Sequence, residues 1–388
     1  MKLFECQNCA QPLYFENTRC ESCGLSLGYL PNREALSALE HDGSDRASNA
    51  WLALADSRRT YRYCANAAHG VCNWLISADS SEQFCATCRH NRTIPDLSQP
   101  GNPERWRLIE IAKHRLFYTL LRLGLTARTR AEDQDGLAFD FLSDGPVPSP
   151  GTAPMTGHAN GIITINLAEA DDAERERRRR EMNEPYRTLL GHFRHEIAHY
   201  YWNQLVAHSK QLQEFRHVFG DERADYSDAL RNYYASGAPP DWPHNFVSAY
   251  ATAHPWEDFA ETWAHYFHMV DTLETAGSFG LVVAPKASKA LAANIDFDPC
   301  KAETERLVEA WIPLTFAANS MNRSMGLPDL YPFMLSPPVI AKLAFIRDVI
   351  HTPSGRHTQS TSGIRAMIAG LRRRAGFQNR TSQNVMVR

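Results

Sequence analysis

The segment PYRTLLGHFRHEIAHYYWNQL, from Pro185 to Leu205, decides how the central part of the chain folds. Pro185 suits the first turn of a helix, and Gly191 is the only glycine or proline between Tyr186 and Leu212, so the pattern predicts one uninterrupted helix. The 3.6-residue period then separates an apolar stripe from a polar one. These stripes are Leu189, Phe193, Ile197 and Tyr200 against His192, His195, Glu196, His199 and Asn203. We therefore expect one face of the helix to be buried and the other to present metal-binding or catalytic side chains.

His195 and His199 stand four residues apart in the order His-Glu-x-x-His, with Glu196 directly after the first histidine. On a helix the two imidazoles lie one turn apart and can share one Zn²⁺, and the glutamate can contact a water molecule on the metal without binding the metal. Three fixed residues also occur together by chance, so the pattern alone leaves coincidence open. Trp202 and Leu205 occupy the positions where metzincins have glycine and histidine, which excludes that class of peptidase.

A second helix is predicted to begin at Pro255, and it presents four polar side chains along one side: Glu257, Glu261, His265 and His268. Here the sequence resembles the gluzincins, whose zinc is held by two histidines and by a glutamate from another helix, while a later acid orients a histidine. The resemblance implies Glu257 as the ligand and Glu261 as the outer partner. The alternatives that stay open are a solvated helix face or another acid as the ligand: Glu261, Asp258 or Asp225.

Tyr250 lies seven residues before Glu257, where lethal-factor-like gluzincins have a tyrosine that stabilises the tetrahedral oxyanion. A phenol is neutral at pH 7 and can donate a hydrogen bond to developing negative charge, so the resemblance implies this role for Tyr250. His254 is the alternative donor, and either side chain could instead be packed polar core. Residues 161–167 resemble the edge strand that such peptidases offer to an extended substrate, although an ordinary core strand is equally compatible.

Eight of the nine cysteines lie within the first 88 residues, in two groups of four: Cys6, Cys9, Cys20 and Cys23, then Cys64, Cys72, Cys85 and Cys88. The first group has two C-x2-C pairs, and the second has one such pair with His69 as a spare ligand. Both predict structural zinc sites, because four thiolates fill a tetrahedral shell. Disulfides are the alternative, which a reducing compartment disfavours. Cys300 is expected to be a buried apolar residue.

Length, composition and net charge restrict the classes of protein to which the chain can belong. The 388 residues suffice for two or three folded units, and no apolar run reaches the length of a membrane span. No secretory signal is visible at the start of the sequence, so we expect a cytoplasmic protein. Basic residues number 41 and acidic residues 44, and the resulting net charge of −3 argues against binding nucleic acid over the whole surface.

The chain is predicted to be an α+β protein in which zinc-ribbon modules precede a mostly helical domain with a small sheet. A proline-rich stretch at residues 91–103 separates a zinc-ribbon region, residues 1–98, from a peptidase-like domain, residues 103–350. Residues 351–388 are a basic tail with seven arginines and no acid, a composition compatible with disorder or with a weak polyanion contact. A helix from Asn102 to about Leu123, strands at 137–142 and 161–167, and an exposed charged helix at 170–182 complete the pattern.

The whole chain resembles the bacterial zinc-binding metallopeptidases, in which an amino-terminal zinc ribbon is fused to a gluzincin-type domain. The resemblance covers residues 1–350 and rests on the ribbon cysteines and on three segments: NRTIPD at 91–96, YRTLLGHFRHE at 186–196 and WEDFAETWAHY at 256–266. Ala198 stands where the family more often has glycine. The resemblance implies hydrolysis of a peptide or protein substrate, with one catalytic and two structural zinc ions.

A binding protein is the rival hypothesis. In it the ribbons and the basic tail dock a partner, and the zinc-peptidase domain is a scaffold or a latent enzyme. The first ribbon has only two basic residues, Lys2 and Arg19, so a protein partner is favoured over nucleic acid. No membrane partner is expected.

Overall fold

The computed structural model describes residues 1–41, 50–143, 157–181 and 188–352, and within them it leaves out the side chains of residue 176 and residues 178–181. Pro185 and nearly all of the basic tail, from residue 353 onward, lie outside the described residues. The chain divides into two compact units. The first unit contains residues 1–204, 267–281 and 295–300, and the second contains residues 205–266, 282–294 and the chain from Lys301 onward.

The first unit begins with the strand-rich ribbon region. Strands β1 (Phe4–Glu5) and β2 (Pro12–Leu13) form an antiparallel pair. An antiparallel five-stranded sheet follows in chain order: β3 (Ser26–Leu30), β4 (Ala35–His41), β5 (Trp51–Ala53), β6 (Asp56–Tyr63) and β7 (Leu75–Ser77). One cluster of its buried side chains consists of Leu30, Leu39, Ala53, Tyr61 and Leu75. A second group of buried rings, Phe4, Phe15, Tyr29 and Trp74, lies in the same region.

A second sheet joins the ribbon region to the rest of the first unit. Its strands are β8 (Asn91–Thr93), β9 (Ala138–Leu142), β10 (Gly157–Ala159) and β11 (Ile162–Asn166), in the order β10-β11-β9-β8. Strands β8 and β9 are parallel, and helix α1 (Asn102–Arg122) provides the crossover that a parallel pair requires. The predicted helix at 102–123 and both predicted strands are confirmed.

The position of β11 corrects one expectation from the sequence. Strand β11 lies between β9, to which it is parallel, and β10, to which it is antiparallel. The core-strand alternative for residues 161–167 is therefore confirmed, and the edge-strand alternative is wrong. Within the described residues, β10 forms that edge of the sheet. The sequence pattern could not show this, because the three residues of β10 are too few to give a strand signal.

Helices α2 (Asp172–Glu181) and α3 (Leu189–Leu205) follow the sheet. Helix α3 is anchored through Phe193, whose ring lies 5.7 Å from that of Phe139 on β9. The ring of Phe139 also lies 6.1 Å from that of Phe117 on α1. This aromatic chain fixes the buried side of α3 against the sheet.

The second unit is mostly helical. It contains α4 (Leu212–Val218), α5 (Tyr226–Ser236), the first half of α6 (Pro255–Ser278), the short strands β12 (Val282–Val283) and β13 (Ala293–Asn294), α7 (Thr304–Ser324) and α8 (Pro337–His351). Four rings in mutual contact form part of its core: Phe215, Phe219, Phe259 and Phe345. The predicted helix from Pro255 is confirmed, as is the α+β class. None of the described helices combines the length and apolarity that a membrane crossing demands.

Candidate metal and catalytic site

The first unit presents the two motif histidines on one turn of α3. Leu189, Phe193 and Ile197 are buried, as the apolar stripe predicts, whereas His195 on the other stripe is only half-buried. The rings of His195 and His199 lie 5.0 Å apart between centroids. The helix therefore brings two imidazoles close enough to bind one ion.

Arg194, next to the first motif histidine, ties α3 to its surroundings in the first unit. Its guanidinium forms a buried ion pair with Asp271 on the second half of α6. Asp271 also accepts a hydrogen bond from the Thr119 hydroxyl of α1 at 2.7 Å. His268, predicted to share the polar side of α6, has its Nδ1 3.5 Å from the Arg194 guanidinium. This network restrains the rotation of α3 at the residue before His195.

A buried carboxylate lies beside His192, the histidine one turn before the motif on α3. Glu169 is fully buried, and its Oε2 lies 3.3 Å from Nδ1 of His192. Glu169 belongs to the short turn after β11, which Asn166 caps by accepting a hydrogen bond from the Ala168 N–H at 2.9 Å. The turn after β11 thus places a buried carboxylate beside His192 on the polar stripe of α3.

His158 is a further histidine near the motif, and it belongs to none of the sequence motifs described above. It lies on β10, and its ring is stacked 6.0 Å from that of His199. Its Nε2 accepts a hydrogen bond from the Gly161 N–H at 3.1 Å. Burial lowers the pKa of His158 to about 4. The adjacent Asn160-Gly161 pair is a hairpin signal in the sequence, and it could have drawn attention to this residue.

The second unit contains the proposed third ligand. Glu257 is 1% exposed, and its Oε1 accepts a hydrogen bond from the Tyr226 hydroxyl at 2.7 Å. The Tyr226 ring packs against His254 and Trp256, with centroids 5.3 Å and 6.0 Å away. A buried carboxylate oriented in this way is well prepared to bind a cation.

The other acids considered from the sequence have local partners in the second unit. Asp258 is fully buried and paired with Lys342 at 2.6 Å, and burial raises its pKa to about 7. Asp225 caps α5 by accepting the Asp228 N–H at 2.8 Å. Glu261 accepts a hydrogen bond from the Ser248 hydroxyl at 2.6 Å. These partners give Asp258 and Asp225 structural roles.

The two candidate oxyanion donors differ in their surroundings. His254 uses both ring nitrogens locally: Nε2 contacts the Ala224 carbonyl at 3.1 Å, and Nδ1 accepts the Trp256 N–H at 3.1 Å. Tyr250 is half-buried in a short 3-10 turn, and its ring lies 5.6 Å from that of Tyr233. The contacts of His254 therefore favour Tyr250 between these two.

Both cysteine groups come together in the first unit, and all nine cysteines are free thiols. In the first group, sulfur separations are 3.7 Å for Cys6 and Cys23 and 3.5 Å for Cys9 and Cys20. Four sulfurs bound tetrahedrally to zinc at 2.3 Å lie about 3.8 Å apart, so the spacing fits. The Leu25 N–H lowers the pKa of Cys23 to about 6, which favours the thiolate.

The second cysteine group is entirely buried, and Cys72 and Cys85 have their sulfurs 3.8 Å apart. His114 on α1 approaches this group, with Nε2 3.3 Å from the Cys72 sulfur and Nδ1 donating to the Glu110 carbonyl at 2.6 Å. His69, the spare ligand suggested by the sequence, is exposed, and its ring lies 5.7 Å from that of Trp106. The four cysteines form a group of possible ligands as expected, and the histidine beside them comes from a helix that begins after the ribbon. Cys300, 3% exposed, is buried as expected.

Comparison with known proteins identifies the family. Residues 102–349 match the family described as "Putative zinc-binding metallo-peptidase", and residues 3–99 match the one described as "zinc-ribbon domain". The chain therefore belongs to this zinc-binding metallopeptidase family and carries an amino-terminal zinc ribbon, which confirms the resemblance seen in the sequence.

Two mycobacterial proteins are similar over nearly the full length. "Uncharacterized protein Mb2598c" of Mycobacterium bovis and "Uncharacterized protein Rv2568c" of Mycobacterium tuberculosis are each 42% identical over 352 residues. The aligned part is 90% of this chain and 95% of each relative. No solved structure shows significant similarity to the chain.

Proposed function

We propose that this protein is a zinc metallopeptidase that hydrolyses peptide bonds. The observation that carries the proposal is the His-Glu-x-x-His sequence on a firmly anchored helix, in a chain that belongs to a zinc-binding metallopeptidase family. We assign His195, His199 and Glu257 as the ligands of one catalytic zinc ion, in agreement with the gluzincin pattern. The two cysteine groups would hold two structural zinc ions.

The donor set fits zinc, because two imidazoles and a carboxylate leave one of four positions open. A zinc ion bound there supplies a Lewis acid that polarises the substrate carbonyl and acidifies water. Glu196 accepts a proton from the attacking water and then delivers it to the leaving amine nitrogen. Tyr250 donates a hydrogen bond to the developing oxyanion, and Glu261 acts as the outer partner.

Tyr226 is a positioning residue in this proposal. Its hydroxyl donates a hydrogen bond to Oε1 of Glu257 and so restrains the orientation of the carboxylate. The contact supports Glu257 as the third ligand, because outer partners of this kind fix the orientation of a ligand before the metal arrives.

A Glu196→Gln variant tests the proposal. The amide cannot accept the proton, so hydrolysis of a mixed quenched-fluorescent peptide library should fall by at least about 100-fold. Zinc content and melting temperature should stay as in the wild type, since Glu196 does not bind the metal. Wild-type turnover in this variant would remove Glu196 from the role.

Metal counting tests the ligand assignment independently of activity. Elemental analysis should give three zinc ions per wild-type chain and two for His195→Ala and Glu257→Ala. His208→Ala, which removes an exposed histidine beyond the motif, is the matched control and should retain all three. Loss of zinc in the control, or retention in both ligand variants, would contradict the assignment. An intact zinc site without hydrolysis would favour the binding-protein alternative.

A further inference from the structure

The tautomer of His158 is fixed by the hairpin that carries it. A ring nitrogen that accepts a hydrogen bond has no proton, and Nε2 accepts the Gly161 N–H at 3.1 Å. The neutral ring therefore has its proton on Nδ1. Asn160 and Gly161 both have positive φ, 50° and 79°, as a two-residue hairpin turn of type I′ requires. The turn thus sets the position of the Gly161 N–H and, through it, the orientation of the ring.

The other ring nitrogen, Nδ1, makes no hydrogen bond within the described part of the chain. This nitrogen is buried. A buried N–H donor without an acceptor is destabilising, so such groups are rare unless a ligand completes them. The ring is stacked against His199, one of the proposed zinc ligands, at 6.0 Å between centroids.

We propose that His158 is a further catalytic residue of this site, whose Nδ1–H donates a hydrogen bond to the substrate carbonyl oxygen as negative charge develops on it. The inference deepens the proposed function and rests on it. A donor fixed in place before the substrate arrives stabilises the oxyanion without reorganisation.

The place of His158 in the sheet also suits an extended peptide. Strand β10 is the edge of its sheet within the described residues, and an edge strand can pair with the backbone of a substrate. A peptide added along β10 would run past His158, with its backbone carbonyls next to the strand. The substrate class inferred here is therefore an unfolded or extended polypeptide segment.

Two amide variants separate the two ring nitrogens. The side-chain amide of asparagine reaches the position of Nδ1, so His158→Asn can keep the donor while it loses the acceptor for Gly161. The longer glutamine reaches the position of Nε2, so His158→Gln keeps the contact to Gly161 and loses the donor. We expect kcat on the mixed peptide library to fall about 100-fold in His158→Gln and less than about tenfold in His158→Asn. KM should change little in either.

Binding of a small zinc ligand gives a readout that needs no turnover. Acetohydroxamate binds zinc through two oxygens, one of which can accept the His158 hydrogen bond. Its Kd for the zinc-loaded protein, measured by calorimetry, should rise about tenfold in His158→Gln and stay near the wild-type value in His158→Asn. Equal Kd values for wild type and His158→Gln would overturn the donor role.

The tautomer itself can be observed in the wild-type protein. Histidine-selective ¹⁵N labelling should show a neutral Nδ1–H ring whose signals disappear in His158→Gln. An Nε2–H tautomer would overturn the inference whatever the kinetics. If the expected tautomer and acetohydroxamate pattern occur but no peptide is cleaved, the proposed function fails while the donor assignment at the metal site stands.

Discussion

The ion pair of Lys342 and Asp258 gives the clearest stability prediction for a single residue. Lys342 Nζ contacts Asp258 at 2.6 Å and the Asn245 carbonyl at 2.6 Å, and it lies 4.2 Å from the centre of the Phe246 ring. Lys342→Met would leave the Asp258 carboxylate buried and unpaired. We expect it to lower the free energy of unfolding by about 3–5 kcal/mol, measured by urea denaturation.

A surface pair serves as its control. Arg107 and Glu104 form an exposed ion pair on α1, so Arg107→Met should cost less than about 1 kcal/mol. The double variant Lys342→Met with Asp258→Asn should recover part of the loss, because it removes the uncompensated charge. If Lys342→Met were no more destabilising than the surface variant, the buried ion pair would contribute no more to the free energy of unfolding than an exposed one.

His114 leads to a prediction about the second cysteine group. Its imidazole contacts the Cys72 sulfur, and its other nitrogen is held by a backbone carbonyl. His114→Ala should weaken zinc binding at this group by about 10- to 100-fold, because outer partners tune the affinity of the ligands. Competition with a chromophoric chelator measures the change. His69→Ala should release zinc as the wild type does, and equal release from both variants would refute the role of His114.

At the scale of residues, the sequence predicts what local spacing encodes. The cysteine pairs and the His195–His199 spacing follow from neighbours within a turn or a loop, and each set comes together in the first unit. His114 and His158 could not be predicted in this way. His114 lies on α1 and His158 on a three-residue strand. No spacing in the sequence shows that the first contacts Cys72 or that the second contacts His199.

The β10–β11 hairpin supports a prediction at the scale of elements. A Cβ at position 161 would meet the Gly136 carbonyl oxygen at 2.6 Å, and the φ of +79° is itself unfavourable for alanine. Gly161→Ala should therefore destabilise the protein by about 2–4 kcal/mol, the cost of the φ angle plus that of the overlap. Thermal unfolding monitored by circular dichroism measures the loss.

Gly124 provides the comparison for that prediction. It also has a positive φ, +70°, but an added Cβ would meet no atom within 4 Å. Gly124→Ala should therefore cost only about 1–2 kcal/mol, the penalty of the left-handed conformation. Equal losses at the two positions would mean that the hairpin can shift away from the Gly136 carbonyl.

Long periodic elements are the part of the fold that the sequence predicts well. Helices α1 and α6 and strands β9 and β11 lie close to where their patterns predict them. The order of the strands in the sheet cannot be predicted from local patterns, because β9 pairs with one strand that precedes it in the chain and one that follows it. That is why residues 161–167 could be predicted as a strand without showing whether they form an edge.

Metal removal tests the whole molecule. The proposed catalytic zinc, with an open coordination position, should be removed by 1,10-phenanthroline at lower concentration than the two proposed thiolate-bound ions. We expect the loss of one zinc ion and of peptidase activity with little change in circular dichroism. Removal of the other two should unfold the ribbon region, since each cysteine group ties together separate segments of the chain. Unfolding that accompanies loss of the first ion would contradict this order.

The pairing of β8 with β9 has a consequence for the ancestry of the protein. Strand β8 lies in the segment that matches the zinc-ribbon family, and β9 lies in the segment that matches the peptidase family. A recombination event at the border between the two segments would split a hydrogen-bonded sheet and expose an apolar strand. The two segments are therefore best inherited together, and a gene fragment that begins at residue 102 should yield insoluble protein.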